Sequence, residues 1–96
     1  MLKKRHIAKD NVVKVTFNLP SDAAHESVRV VGEFNQWEGT PLERQKDGSW
    51  RTTVALAAGR EYEFRYLVDG ERWVNEADAD WQVQNPYGED NSVIRT

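Results

Sequence analysis

The chain holds 96 residues, with 13 Lys and Arg against 16 Asp and Glu, two His, no Cys and 39% apolar residues. That length allows one domain and falls far short of the ~250 residues of a barrel-type hydrolase. No apolar run approaches the ~20 residues of a membrane span, so a membrane partner is not expected. Without cysteine, neither a disulfide framework nor a thiolate zinc site can form, and no metal or other cofactor is expected.

Charge is unevenly placed. Residues 1–14 hold five basic groups against one acid, a balance of +4, and the remaining 82 hold eight basic and fifteen acidic groups, a balance of −7. A body that negative repels phosphate backbones, so nucleic acid is not an expected partner. The start, Met1-Leu2-Lys3-Lys4-Arg5-His6, lacks the apolar stretch of a secretory signal. The composition fits a reducing cytoplasm. Residues 1–11 read as a flexible basic segment and 12–96 as one domain.

Val13, Val15, Phe17 and Leu19 alternate with Lys14, Thr16 and Asn18, a half-buried strand stopped by Pro20-Ser21-Asp22. Asp22–Glu26 has the composition of a single helical turn. Ser27–Val31 reads as a second strand, ended by Gly32. Pro41–Arg44 reads as the short partner of a strand over Trp50–Leu56, with Asp47-Gly48 as the turn before it. Tyr62, Phe64, Tyr66 and Val68 alternate with Glu61, Glu63, Arg65 and Leu67, the strongest strand pattern in the chain. Asp69-Gly70 turns it into Arg72-Trp73-Val74. Asp78–Trp81 has the composition of another helical turn, the 75–91 stretch reads as one long ordered connection, and Ser92–Arg95 closes the chain as a strand. About seven short strands at roughly ten-residue spacing predict an all-β, immunoglobulin-like antiparallel β-sandwich.

Catalytic chemistry finds little support. The pairs Asp78 with Asp80, Glu89 with Asp90, and Glu61 with Glu63 would need a sugar-sized cleft between them to act as a glycosidase dyad, and a small sandwich has little material to build one. Glu61 and Glu63 read more simply as the wet face of a strand. His6 and His25 have no ligand-spaced partners. No phosphate loop or nucleophile elbow occurs. The chain is therefore not expected to be an enzyme.

The four Trp residues differ in setting. Trp50 aligns with Val54 and Leu56 and is expected in the core. Trp37 lies in the loop Gly32–Gly39, where it either caps the sandwich or presents its ring to a ligand. Trp73 depends on its hairpin. A two-residue loop pairs it with Tyr66 in the core. A three-residue loop, a type I turn with a G1 bulge, places it on the face of Arg65 with Val74 inside. Val74 is a better core residue than Arg72, which favours the longer loop. Trp81 offers no register. An exposed indole matches the C–H face of a pyranose ring, and Arg or Asn beside it can bond the hydroxyl rim.

Four segments then occur in order: Val30-Val31-Gly32-Glu33-Phe34-Asn35-Gln36-Trp37, Asp47-Gly48-Ser49-Trp50, Tyr62–Gly70 followed by Trp73, and Asn85-Pro86-Tyr87-Gly88-Glu89-Asp90-Asn91-Ser92-Val93. Together they resemble the family-48 carbohydrate-binding modules, the isoamylase N-terminal-like early-set domains that include the glycogen-binding domain of the AMP-activated kinase β subunit. The resemblance spans about residues 12–95. It implies an early-set sandwich that binds α-1,4-linked glucan such as glycogen, starch or malto-oligosaccharides without catalysis. It further implies Trp37 and Trp73 as stacking platforms, Arg65 and Asn91 as hydroxyl partners, and Tyr87 as a residue projecting against the sugar rings. The alternative it carries is a module that docks on a glycoside hydrolase of family 13 or another glucan-metabolising enzyme without binding sugar. The chain departs from the kinase version at Arg65, where that version has Lys, and at Glu89, where it has a small hydroxyl residue. Glu76-Ala77 replaces the usual Asp-Pro, and one residue is inserted between Gly70 and Trp73.

Overall fold

Alternating apolar residues dictate where each strand points. In the computed structural model, which describes residues 2–96, Val13, Val15, Phe17 and Leu19 are buried while Lys14 between them is exposed. The same period recurs in Phe64, Tyr66 and Val68, all fully buried. Ten strands result among the described residues: β1 (Leu2–Ile7), β2 (Val12–Leu19), β3 (Val28–Gly32), β4 (Thr40–Pro41), β5 (Glu43–Arg44), β6 (Trp50–Ala57), β7 (Glu61–Val68), β8 (Arg72–Val74), β9 (Trp81–Gln84) and β10 (Asp90–Arg95). They form an antiparallel sandwich. One sheet runs β1-β2-β6-β5, and the other β4-β3-β7-β10-β9 with β8 added to β7. No helix among the described residues is long and apolar enough to cross a membrane.

Phe17 sits at the centre of the core. Its ring stacks on Phe34 at 5.6 Å and meets Phe64 and Tyr66 edge-on at 5.3 and 6.3 Å. Trp50 is 5% exposed, as its alignment with Leu56 predicts, and the Arg44 guanidinium covers its ring at 4.9 Å. One buried polar network ties β7 and β10 of the second sheet to the segment that follows β8. The Tyr66 hydroxyl donates to Glu76 Oε1 at 2.8 Å, and the Glu76 backbone N–H donates to Ser92 Oγ at 2.8 Å. Ser92 Oγ in turn donates to Asn75 Oδ1 at 3.0 Å. Burial and the facing Glu76 carboxylate push the Tyr66 hydroxyl far above the ordinary phenol range.

Three differences from the sequence expectation account for ten strands against about seven. Leu2–Ile7 is not left loose but pairs with β2 from Leu2 opposite Phe17 to Ile7 opposite Val12. Its middle residues are exposed, so it joins by backbone bonding to the β2 edge rather than by an apolar pattern of its own. The 41–44 segment is divided: β4 pairs with β3 and β5 with β6, in different sheets. Leu42, 4% exposed, is the crossing point, and its N–H donates to Val28 O at 2.8 Å. Trp81–Gln84 is a strand against β10, inside what reads as one connection. The expected helical turn at 22–26 is a 3-10 turn over Ser21–Ala23, and residues 78–80 form no helix.

The edge of β7 positions the site. Glu61–Phe64 pair there with β10, and Tyr66–Val68 pair on the same edge with β8. Between the two partners stands Arg65, the residue at which β7 changes neighbour. Asn75 Nδ2 bridges the gap to Asp90 O at 2.9 Å.

Candidate functional site

Arg65 points away from the core because its neighbours Phe64 and Tyr66 point into it. The β7–β8 loop holds three residues, Asp69 to Glu71, so Leu67 pairs with Trp73 and Tyr66 with Val74. Trp73 therefore lies on the Arg65 face, as the longer-loop expectation has it. The turn differs in kind: Asp69 (φ 54°) and Gly70 (φ 72°) are both left-handed, the pattern of a primed turn with Glu71 as the extra residue. A non-glycine residue holds that conformation because its carboxylate is tied down. The Asp69 carboxylate accepts the backbone N–H groups of His25, Glu26 and Ser27 at 2.7–3.1 Å. The bonds from Glu26 and His25 hold its pKa below the ordinary 3.8.

Trp37 arrives from the opposite side of β7. Val31 pairs with Arg65 and Gly32 with Phe64, so the chain leaves β3 directly above the site. A Cβ on Gly32 would stand 2.7 Å from Glu63 O and from Phe64 Cβ, which explains glycine at this crossing. A 3-10 turn over Glu33–Asn35 follows. The Asn35 side chain fastens it by accepting the Gly32 N–H at 3.0 Å and donating to Val30 O at 2.9 Å and Thr40 Oγ1 at 3.1 Å. Gln36 (φ 57°) and Trp37 (φ 63°) are then both left-handed, costing about 1–3 kcal/mol each. The Trp37 N–H is held by Gly32 O at 2.9 Å. Two consecutive strained residues turn the indole outward, leaving it 45% exposed.

The β9–β10 loop makes the third wall. Asn85 Oδ1 accepts the N–H groups of Tyr87 and Glu89 at 2.9 and 3.1 Å, and the Asn85 N–H bonds Glu89 O at 2.6 Å. This side-chain turn lifts Tyr87 until it is 90% exposed.

The five residues singled out in the sequence meet here. Trp37, Arg65, Trp73, Tyr87 and Asn91 line one open pocket of about 630 Å³, together with Asn85, Pro86 and Glu89. Arg65 is its centre. Nη1 donates to Glu89 Oε2 at 2.8 Å, the guanidinium carbon lies 5.4 Å from the Trp73 ring centroid, and Nε is buried without a hydrogen-bond partner. Asn91 is more enclosed than a free ligand amide, at 7% exposed. Its Nδ2 donates to Glu63 Oε1 at 3.1 Å and its Oδ1 accepts from Asn85 Nδ2 at 3.3 Å. Trp50 and Trp81 lie elsewhere; Trp81 pairs with Val93, its ring under the Arg95 guanidinium at 4.6 Å.

Sequence reasoning missed Asn85, Pro86 and Glu89 as site residues. The Asn-Pro-x-Gly run signals a turn anchored by Asn85, and that signal was legible. The pairing of Glu89 with a cation 24 positions earlier was not.

Comparison with known families accords with this geometry. Residues 13–96 match the family model described as the glycogen recognition site of AMP-activated protein kinase. A comparison with curated proteins gave no match. The match spans Trp37, Trp73 and all three pocket walls, and the chain belongs to this family of glycogen-recognition domains, the carbohydrate-binding modules of family 48.

Proposed function

We propose that this module binds α-1,4-linked glucan in the pocket around Arg65 and performs no chemistry on it. The carrying observation is the gathering of two half-exposed indoles and the Tyr87 ring around one guanidinium, from three separate parts of the chain. Trp37 and Trp73 offer flat apolar surfaces to the C–H faces of glucose rings. Each stacked ring contributes about 1–2 kcal/mol by area burial and aromatic packing. Tyr87 projects against the chain of rings from the loop side. Arg65 has five N–H donors, of which Glu89 takes one and the buried Nε carries another, and the remaining ones on the two terminal nitrogens suit vicinal hydroxyls. Asn91, held by Glu63 and Asn85, contributes its remaining amide hydrogen and lone pair. An open site of this kind gives Kd between about 1 μM and 1 mM, or roughly −8 to −4 kcal/mol.

The exposure of both indoles supports sugar binding over a docking module, in which Trp37 or Trp73 would be buried and an apolar patch would stand elsewhere. The test is a titration with maltoheptaose, β-cyclodextrin and glycogen followed by tryptophan fluorescence. A saturable change at micromolar to millimolar sugar is expected. No response from any of the three would end the proposal.

A further inference from the structure

Glu89 carries the one carboxylate on the pocket wall, and Arg65 the one cation. Their side chains are 60% and 13% exposed, so the carboxylate stands at the mouth and the guanidinium deeper in. A ligand therefore meets negative charge before it meets positive. At the pocket floor, Asn91 is bonded to a second carboxylate, Glu63, at 3.1 Å. Behind both lies a chain that beyond residue 14 carries a balance of −7. Arg29 shares the outer face of the sheet, at the register of Leu67, but does not line the pocket.

A lone guanidinium in a sugar site would also attract phosphate, which matches its fork of donors. Here Glu89 offsets that attraction from 2.8 Å and, as the more exposed of the two, faces an approaching phosphate first. We infer that the Arg65–Glu89 pair makes this pocket selective for uncharged glucan and turns away glucan esterified with phosphate. This rests on the sugar-binding reading above and adds a specificity-determining residue to it. Glu89 acts on the ligand's charge, so its effect is read in the ratio of charged to neutral sugar. A unit charge about 6 Å from a phosphate, at an effective dielectric constant of roughly 40–80, changes affinity about three- to tenfold for each phosphate charge.

The experiment compares maltoheptaose with maltoheptaose carrying one phosphate monoester, by calorimetric titration of the whole chain and of Glu89→Gln. The wild-type chain is expected to bind the neutral sugar at least about threefold tighter. Glu89→Gln narrows that ratio toward one, the readout being the ratio of the two affinities and not either Kd alone. Between 0.1 M and 1 M salt the screening length falls from about 10 Å to about 3 Å, so the wild-type ratio also shrinks. Equal affinities in the wild type overturn the inference. So does a variant that weakens both sugars by one common factor, because Glu89 then only holds Arg65 in place. Failure of the wild type to bind either sugar withdraws the binding proposal itself, and this inference with it.

Discussion

At the scale of single residues, the site is a matter of which side chains are left out of the core. Trp50 and Trp73 are both strand indoles, yet one is 5% and the other 48% exposed. The three-residue loop Asp69–Glu71 makes that difference by placing Trp73 on the Arg65 side of β7. Trp73→Ala should therefore raise Kd for maltoheptaose about five- to thirtyfold, from loss of one stacking surface of about 1–2 kcal/mol. Its thermal midpoint should stay within a few degrees of wild type. A large drop in midpoint would mean that Trp73 serves the fold instead. Tyr66→Phe probes the opposite class of residue. It removes a buried donor from Glu76, which is 2% exposed, and should cost about 1–3 kcal/mol in urea unfolding. An unchanged midpoint would show that the carboxylate's other contacts suffice. Residues of both kinds were legible where strand alternation or loop length decides the direction of a side chain. Glu76 was not, because nothing local in Asn75-Glu76-Ala77 reveals a buried partner on β7.

At the scale of elements, the pocket depends on turns more than on strands. Asn35 reaches no part of the pocket wall, yet its three side-chain bonds set the path that brings Trp37 outward. Asn35→Ala should weaken glucan binding about tenfold or more while costing about 1–3 kcal/mol of stability. Titration of sugar at a temperature well below the melt separates the two effects. Retained affinity would show that Trp37 holds its place without this anchor. The strands themselves were read with uneven success, for identifiable reasons. β2 and β7 alternate over eight residues and were plain. β9 has four residues, follows an Asp-rich stretch and takes its place from β10, so its own pattern is too short to announce it. β1 has a run of exposed Lys, Arg and His, a composition that reads as a solvated tail until an edge is there to receive it.

At the scale of the whole molecule, three aspartates far apart in the chain, Asp47, Asp69 and Asp80, accept hydrogen bonds that hold their pKa values down, and acid should undo these together. The Lys4 ammonium, on β1 of one sheet, bonds Asp80 Oδ2 at 2.6 Å in the loop before β9 and Arg95 O at 2.9 Å on β10 of the other sheet. Burial alone would raise the Asp80 pKa, but the Arg95 N–H and the Lys4 ammonium more than offset it and hold it below 3.8. Asp69 is lowered by its backbone bonds to residues 25–27, and Asp47 by the Ser49 hydroxyl and N–H. Each folded pKa lies below the unfolded value, so the folded state binds fewer protons. The stabilisation is present above the unfolded value and is lost as pH falls through the folded ones. The thermal midpoint should be level between about pH 5 and 7 and decline below about pH 4. Circular-dichroism melts across that range check this, and a midpoint that holds down to about pH 2 would contradict it.

The shared edge of β7 has a further consequence. Strands β8 and β10 follow one another along it with no ladder between them, so the lips of the pocket hang from separate hinges on a common post. The hydrophobic interior lies on the far side of that post. Selection can lengthen or recolour either lip wherever it spares the buried bonds of Asn75, Glu76 and Ser92. In this architecture, ligand preference is free to diverge along a seam that stability crosses only at that knot.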